Sequence, residues 1–203
     1  PDCLRQHPDL EKEFLDLVDQ LNAQPITLTV PEINPDTHTP TGIIYQMPLD
    51  GDTFIVLAFQ LQYQADILRA LPQIITNIRN HGKDELLSSV TGQVLFSNLV
   101  SEGAYYSEVC AALHDFQVTD AEWETLRPQI TAAEKPGLEA AATICQEWEV
   151  PPLEAGLSQP VTSDIPTLII SGRFDPVTPA RNGALVAETL SRSVQIVLPN
   201  AGH

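Results

Sequence analysis

The stretch from Thr167 to Leu198 constrains this chain most, because it reads as two strands joined by a single helix. Thr167-Leu168-Ile169-Ile170 is a continuous apolar run, the pattern of a strand expected to be buried on both faces. Val194 to Leu198 is a second such run. Between them, Thr178 is expected to cap a helix with Pro179 at its first position, continuing through Leu185, Val186 and Leu190. A strand, a helix and a strand at this spacing suit a parallel crossover. The fold class is therefore α/β, with this piece expected at the edge of a parallel sheet.

Functional residues of open α/β sheets gather just past the carboxyl ends of the strands. Two chemically capable side chains stand there. Asp175 follows the first strand in Ser171-Gly172-Arg173-Phe174-Asp175-Pro176, and His203 follows the second in Asn200-Ala201-Gly202-His203. Adjacent parallel strands would bring the two loops side by side. Pro176 biases Asp175 away from helical angles, which helps to fix its carboxylate. A carboxylate that accepts the Nδ1 proton of an imidazole sets the tautomer in which Nε2 acts as a base. Such a pair is the orienting half of a nucleophile–base system.

The first part of the chain reads as mostly helical. Leu10, Phe14, Leu17, Val18 and Leu21 form a one-sided stripe from Asp9 to Leu21. Ile26–Val30 and Ile43–Met47 are short β-like runs around a proline-rich loop, expected to pair as an irregular hairpin. Phe54 to Tyr63 reads as a buried helix. Leu71, Ile74, Ile75 and Ile78 mark another helical face that opens at Pro72 and closes near Gly82. Helices are also expected at Asp84–Phe96, Asp120–Arg127 and Leu138–Trp148. A Pro/Gly/Ser-containing linker from Val150 to about Pro160 separates this region, residues 1–150, from residues 151–203.

Composition narrows the partners. The chain of 203 residues carries 27 acidic and 10 basic residues, a net charge of −17. Such a surface repels polyanions, which argues against nucleic acid and against an anionic membrane face. The apolar runs are too short to span a bilayer. No metal or cofactor signature is visible. The cysteines Cys3, Cys110 and Cys145 lack the spacing of a zinc or redox motif, and spacing leaves open a long-range disulfide or three free thiols. His7, His38, His81 and His114 read as surface or loop residues with nothing paired to them, and Arg173 as an ion-pair partner of an acid such as Asp164 or, second, as part of a pocket rim.

The run Ser171-Gly172-Arg173-Phe174-Asp175-Pro176-Val177-Thr178-Pro179, followed by Gly202-His203, resembles the C-terminal part of α/β-hydrolases. The likeness is greatest to the tripeptidyl aminopeptidase and proline iminopeptidase branch. Tyr105-Tyr106-Ser107-Glu108-Val109-Cys110, Cys145-Gln146-Glu147-Trp148, and Cys3 with Pro8-Asp9-Leu10 resemble segments of that branch's lid. The resemblance implies a helical lid over residues 1–150, inserted before the last strands of a hydrolase core at 151–203. Trp123 and Trp148 are then expected in the core of the lid.

The resemblance further implies a serine hydrolase working through an acyl-enzyme, with His203 as general base and then acid and Asp175 as the carboxylate that orients it. Chain order in that fold is Ser, Asp, His. No G-x-S-x-G occurs here, since no two glycines stand four apart. The chain is therefore expected to be a segment of a longer protein and inactive alone. Because both fall in lid motifs, Cys110 and Cys145 are expected to form a disulfide, with Cys3 left for a partner upstream. That pairing implies a secreted, periplasmic or cell-envelope location. Peptides with a free N-terminus are the first substrate class implied, and small esters the second.

One departure bears on that choice. Peptidase-like relatives usually carry an acidic residue just after the lid cysteine, where this chain has Ala111-Ala112-Leu113. Glu108 and Asp115 flank the position as candidate substrate-binding acids. The rival from another class is a non-catalytic homologue whose lid surface binds a partner.

Overall fold

Apolar residues recurring at helical spacing build helix α1, Leu10–Ala23, which buries Leu17, Val18 and Leu21. The computed structural model describes residues 5–63, 65–96, 101–112, 120–154, 156–157 and 159–203. Strands β1, Ile26–Ile33, and β2, Pro40–Leu49, pair antiparallel with Ile26 opposite Leu49 and Val30 opposite Tyr45. Leu28 and Val30 point inward at the period of two that a strand imposes. The register shifts between Pro31 and Ile33, and that irregularity brings Ile33 inward as well.

Two of the next helices begin on carboxylate caps. Asp50 accepts the Thr53 N–H at 2.8 Å and starts α2, Gly51–Leu61. The backbone and hydroxyl of Thr53 hold the Asp50 carboxyl below its ordinary pKa. Helix α2 buries Phe54, Ile55, Leu57, Ala58 and Leu61, and Phe14 packs on Phe54 at 5.3 Å between ring centres. A short helix, α3, covers Ala65–Leu68. Helix α4, Leu71–His81, buries Ile74, Ile75 and Ile78 and ends at Gly82, whose φ of +64° favours glycine. Asp84 caps α5, Glu85–Phe96, by accepting the Leu87 N–H at 2.8 Å, while its other oxygen accepts from Asn77 at 2.7 Å. Helix α5 packs on β1.

Three segments differ from the sequence expectation. Glu102–Ala112 forms a helix, α6, that carries no one-sided apolar stripe to betray it; Cys110 is its buried residue. The helix expected at Asp120–Arg127 shortens to α7, Asp120–Trp123. Thr125 turns back to donate to the Glu122 carbonyl at 2.7 Å. Arg127 is extended, with ψ 137°, as the residue before a proline tends to be. The last helix of this region, α8, begins ten residues early and spans Pro128–Trp148. Pro128 occupies its start, and Pro136 sits inside it, where a proline fits the helical φ but withdraws one hydrogen bond.

Helices α6 and α8 are joined by a disulfide between Cys110 and Cys145, with Cα atoms 5.1 Å apart. Trp148 donates through Nε1 to Ser107 Oγ at 3.0 Å and is 42% exposed, so it does not lie in a core as the resemblance implied. His7 is not unpaired, for its Nδ1 lies 3.9 Å from Glu13.

The chain divides into two compact units, residues 1–58 with 71–153, and residues 59–70 with 154–203. In the second unit β3, Thr167–Gly172, and β4, Ser193–Leu198, run parallel, with Thr167 opposite Ser193 and Gly172 opposite Leu198. The crossover helix α9 covers Ala180–Ala187, ending short of Leu190, which instead bridges Ser163. It packs on both strands. Helix α9 lies over the face that carries Ile169, Ser171 and Gln195, as the approach of all three to Gly183 shows. The other face is open within these 203 residues. Leu168, Ile170, Val194 and Ile196 alternate onto it and are 59%, 61%, 63% and 47% exposed. The architecture is thus a mixture of helices with small sheets, consistent with the α/β class. No helix among the described residues is long and apolar enough to cross a membrane.

Candidate active site

The loops that follow β3 and β4 are stitched together by their backbones. Arg173 N–H donates to the Leu198 carbonyl at 3.0 Å, and Phe174 N–H donates to Ala201 at 3.0 Å. Gly172 makes this closeness possible. A Cβ there would collide with the Gly202 carbonyl oxygen and stand 2.8 Å from that of Ala201. The segment leading to His203 therefore lies directly on the end of β3.

Asp175 is held by four donors. Its Oδ1 accepts the N–H groups of Val177 at 2.9 Å and Thr178 at 2.8 Å, an Asx-turn. Its Oδ2 accepts the Thr178 hydroxyl at 2.7 Å. The fourth donor is His203, whose Nδ1 lies 3.2 Å from each carboxylate oxygen. Burial alone would raise the Asp175 pKa, but the hydrogen bonds from Thr178, Val177 and His203 outweigh it and bring the carboxyl from 3.8 down to about 2. The carboxylate is buried with its side chain 7% exposed, while that of His203 is 40% exposed.

This arrangement specifies what the imidazole can do. A carboxylate accepts but does not donate, so Nδ1 carries the proton, and in the neutral form of the ring it is Nε2 that has the free lone pair. Thr178 Oγ1 lies 3.5 Å from the same Nδ1. Because that hydroxyl gives its proton to Asp175, it too can only accept from the ring. On another side, the Tyr63 ring meets the imidazole at 5.2 Å with an interplanar angle of 85°.

Some residues act differently from the sequence expectation. Thr178 does not cap α9; the N-cap position is Pro179, without a side-chain cap bond. The Asp175 carboxylate takes the Thr178 hydroxyl instead, since an ionised acceptor forms the stronger bond. Arg173 is exposed and, among the described residues, forms no ion pair with Asp164 or another acid. Glu108 is exposed on α6. Asp115, Cys3 and His114 lie outside the described residues. No group of His, Cys, Asp or Glu among the described residues could hold a metal ion.

The sequence reading missed two contributions near the pair. Gln195, on β4, donates to the Ala180 carbonyl at 2.7 Å and to Ser171 Oγ at 3.2 Å, tying the start of α9 to both strands. A polar residue inside an apolar strand run was the available signal. Tyr63 gave none, because it arrives from a distant part of the chain.

No curated protein and no solved structure matches the chain. Residues 132–203 match the model of a family described as TAP-like protein, an α/β-hydrolase-related family, and the matched stretch includes both Asp175 and His203. The match suggests a hydrolase-type function.

Proposed function

We propose that the chain contributes the acid–base half of a serine hydrolase. The observation that carries this reading is the Asp175–His203 contact, 3.2 Å from Nδ1 to each carboxylate oxygen, at the carboxyl ends of adjacent parallel strands. In the proposed reaction, His203 Nε2 takes the proton of a serine hydroxyl as its oxygen attacks a substrate carbonyl. Asp175 stabilises the imidazolium that forms, and His203 then returns the proton to the leaving group. Water repeats the cycle on the acyl-enzyme. In this reading the serine and the donors for the oxyanion lie outside these 203 residues, which hold no G-x-S-x-G.

The substrates of this reading are peptides with a free N-terminus, with residues 1–150 as a lid region and residues 151–203 as part of the hydrolase core. The Cys110–Cys145 bond supports an oxidising location, secreted, periplasmic or in the cell envelope. A second reading, ester hydrolysis, is favoured by Ala111-Ala112, which puts no carboxylate beside Cys110 to hold an α-amino group.

The test uses the intact protein that contains this chain. His203→Ala should lower turnover by several orders of magnitude, with the loss in kcat more than in KM, because the base acts in the transition state. Thermal stability should change little, since the side chain is substantially exposed. Aminoacyl and short peptidyl chromogenic substrates would be assayed beside a simple ester. Turnover by His203→Ala close to the parent's sinks the catalytic assignment. Hydrolysis of the ester without the peptides keeps the pair and discards the aminopeptidase reading.

A further inference from the structure

We propose that Tyr63 is a positioning residue for His203, holding the imidazole in the orientation in which Nδ1 faces Asp175 and Nε2 stays available. The proposal rests on the reading of His203 as the general base, and it goes beyond that reading by naming what steadies the ring. Asp175 and Thr178 both engage His203 through Nδ1, along one edge of the imidazole. An anchor on one edge leaves the ring able to swing about that edge, which would move Nε2. The second constraint is Tyr63, whose ring stands perpendicular to the imidazole at 5.2 Å between centres. Edge-to-face packing of this kind is favourable for aromatic rings and penalises rotation of either partner.

Tyr63 is itself braced. It lies in the turn that ends α2, where its N–H donates to the Gln60 carbonyl at 3.3 Å and the Gln62 N–H donates to Phe59 at 3.0 Å. Phe59 meets the Tyr63 ring edge-on at 5.7 Å and 89°. Phe59, Tyr63 and His203 thus form a chain of perpendicular rings that ends on the base. No hydrogen bond from the Tyr63 hydroxyl is formed to the described residues, so the ring carries the effect and phenylalanine should replace it. A base that transfers one proton twice needs Nε2 at one place throughout, and small misplacements of such a group are costly.

The test compares Tyr63→Ala, Tyr63→Leu and Tyr63→Phe in the intact protein, labelled with ¹⁵N and ¹³C in histidine. Signals of His203 are assigned by their loss in His203→Gln. In Tyr63→Ala and Tyr63→Leu the His203 ring should become more mobile by ¹³C relaxation, while Tyr63→Phe keeps the parent's values. On a hydrolysed substrate, the first two variants should lose kcat by roughly three- to tenfold at unchanged KM, and Tyr63→Phe should restore it. Tyr63→Leu keeps apolar bulk without a flat ring, which separates ring packing from a cavity. Unchanged His203 ring mobility in Tyr63→Ala and Tyr63→Leu overturns the proposal, as does a Tyr63→Phe variant as impaired as Tyr63→Ala. If the parent hydrolyses nothing, the reading of His203 as a base fails, and ring relaxation alone still decides the role of Tyr63.

Discussion

The two compact units bury different kinds of side chain. In the first, Leu17, Leu28, Phe54, Ile74 and Leu87 are almost wholly removed from water, and helices and hairpin share one apolar core. In the second, strands of equally apolar sequence leave Leu168, Ile170, Val194 and Ile196 about half exposed or more. What is buried there includes the polar Ser171 and Asp175, and the order around them comes from hydrogen bonds. The difference teaches that apolar content alone does not decide which strand faces are covered within these 203 residues. One unit is held by excluded water, whose contribution scales with buried area. The other holds its candidate site by donors converging on one carboxylate, which fixes positions more sharply than it adds stability.

The largest effect should come from the first unit. Phe54 is fully buried at the centre of its core, and Phe54→Ala should cost about 3–5 kcal/mol in a urea titration. The same variant, where folded, should leave the ¹⁵N signals of His203 at their parent positions. Altered His203 signals in folded Phe54→Ala would break the comparison, by showing that the core sets the geometry of the site.

A smaller effect, of the opposite kind, is expected from Thr178. Removing its hydroxyl deletes a hydrogen bond to an ionised acceptor, worth roughly 1.5–3 kcal/mol. If that bond orients Asp175 for catalysis, Thr178→Val should lower kcat of the intact protein by roughly ten- to a hundredfold, with KM near the parent's and Thr178→Ser recovering most of the loss. A fall in stability without a fall in kcat would place Thr178 with the structural residues of the first unit.

The smallest effect is one of pH. Asp175 has a folded pKa of about 2, below its ordinary 3.8, so the folded state binds this proton more weakly than the unfolded state does. Its contribution to stability is fully present above the ordinary value and is lost as the pH falls through about 2. Denaturation midpoints measured down this range should decline in the parent and decline less steeply in Asp175→Asn. Equal slopes for the two proteins would remove Asp175 as a source of acid sensitivity.

Much of the fold is legible in the order of the residues. The helical stripe of α1 and the face made by Ile74, Ile75 and Ile78 follow from periodicity, and the hairpin follows from two β-like runs around prolines. The parallel crossover that sets Asp175 beside His203 follows from an apolar run, a helix start and a second apolar run. These features are local, or depend on a handedness and strand order with few alternatives. Other features are hidden for identifiable reasons. Helix α6 has no apolar stripe, and α8 runs through Pro136, a residue that ordinarily marks an end. The continuous run of β3 shows that a strand is apolar but not which of its faces is covered.

By itself the sequence determined the crossover, the positions of Asp175 and His203 at adjacent strand ends, and the absence of a G-x-S-x-G elbow from these residues. Only the tertiary structure decided that Thr178 serves the Asp175 carboxylate and not a helix end, and that Tyr63 closes on His203. A strand or a helix arises from repeated local preferences that sequence records. The partner of one hydroxyl or one ring depends on which distant groups arrive within a few ångströms, and that is a property of the folded chain.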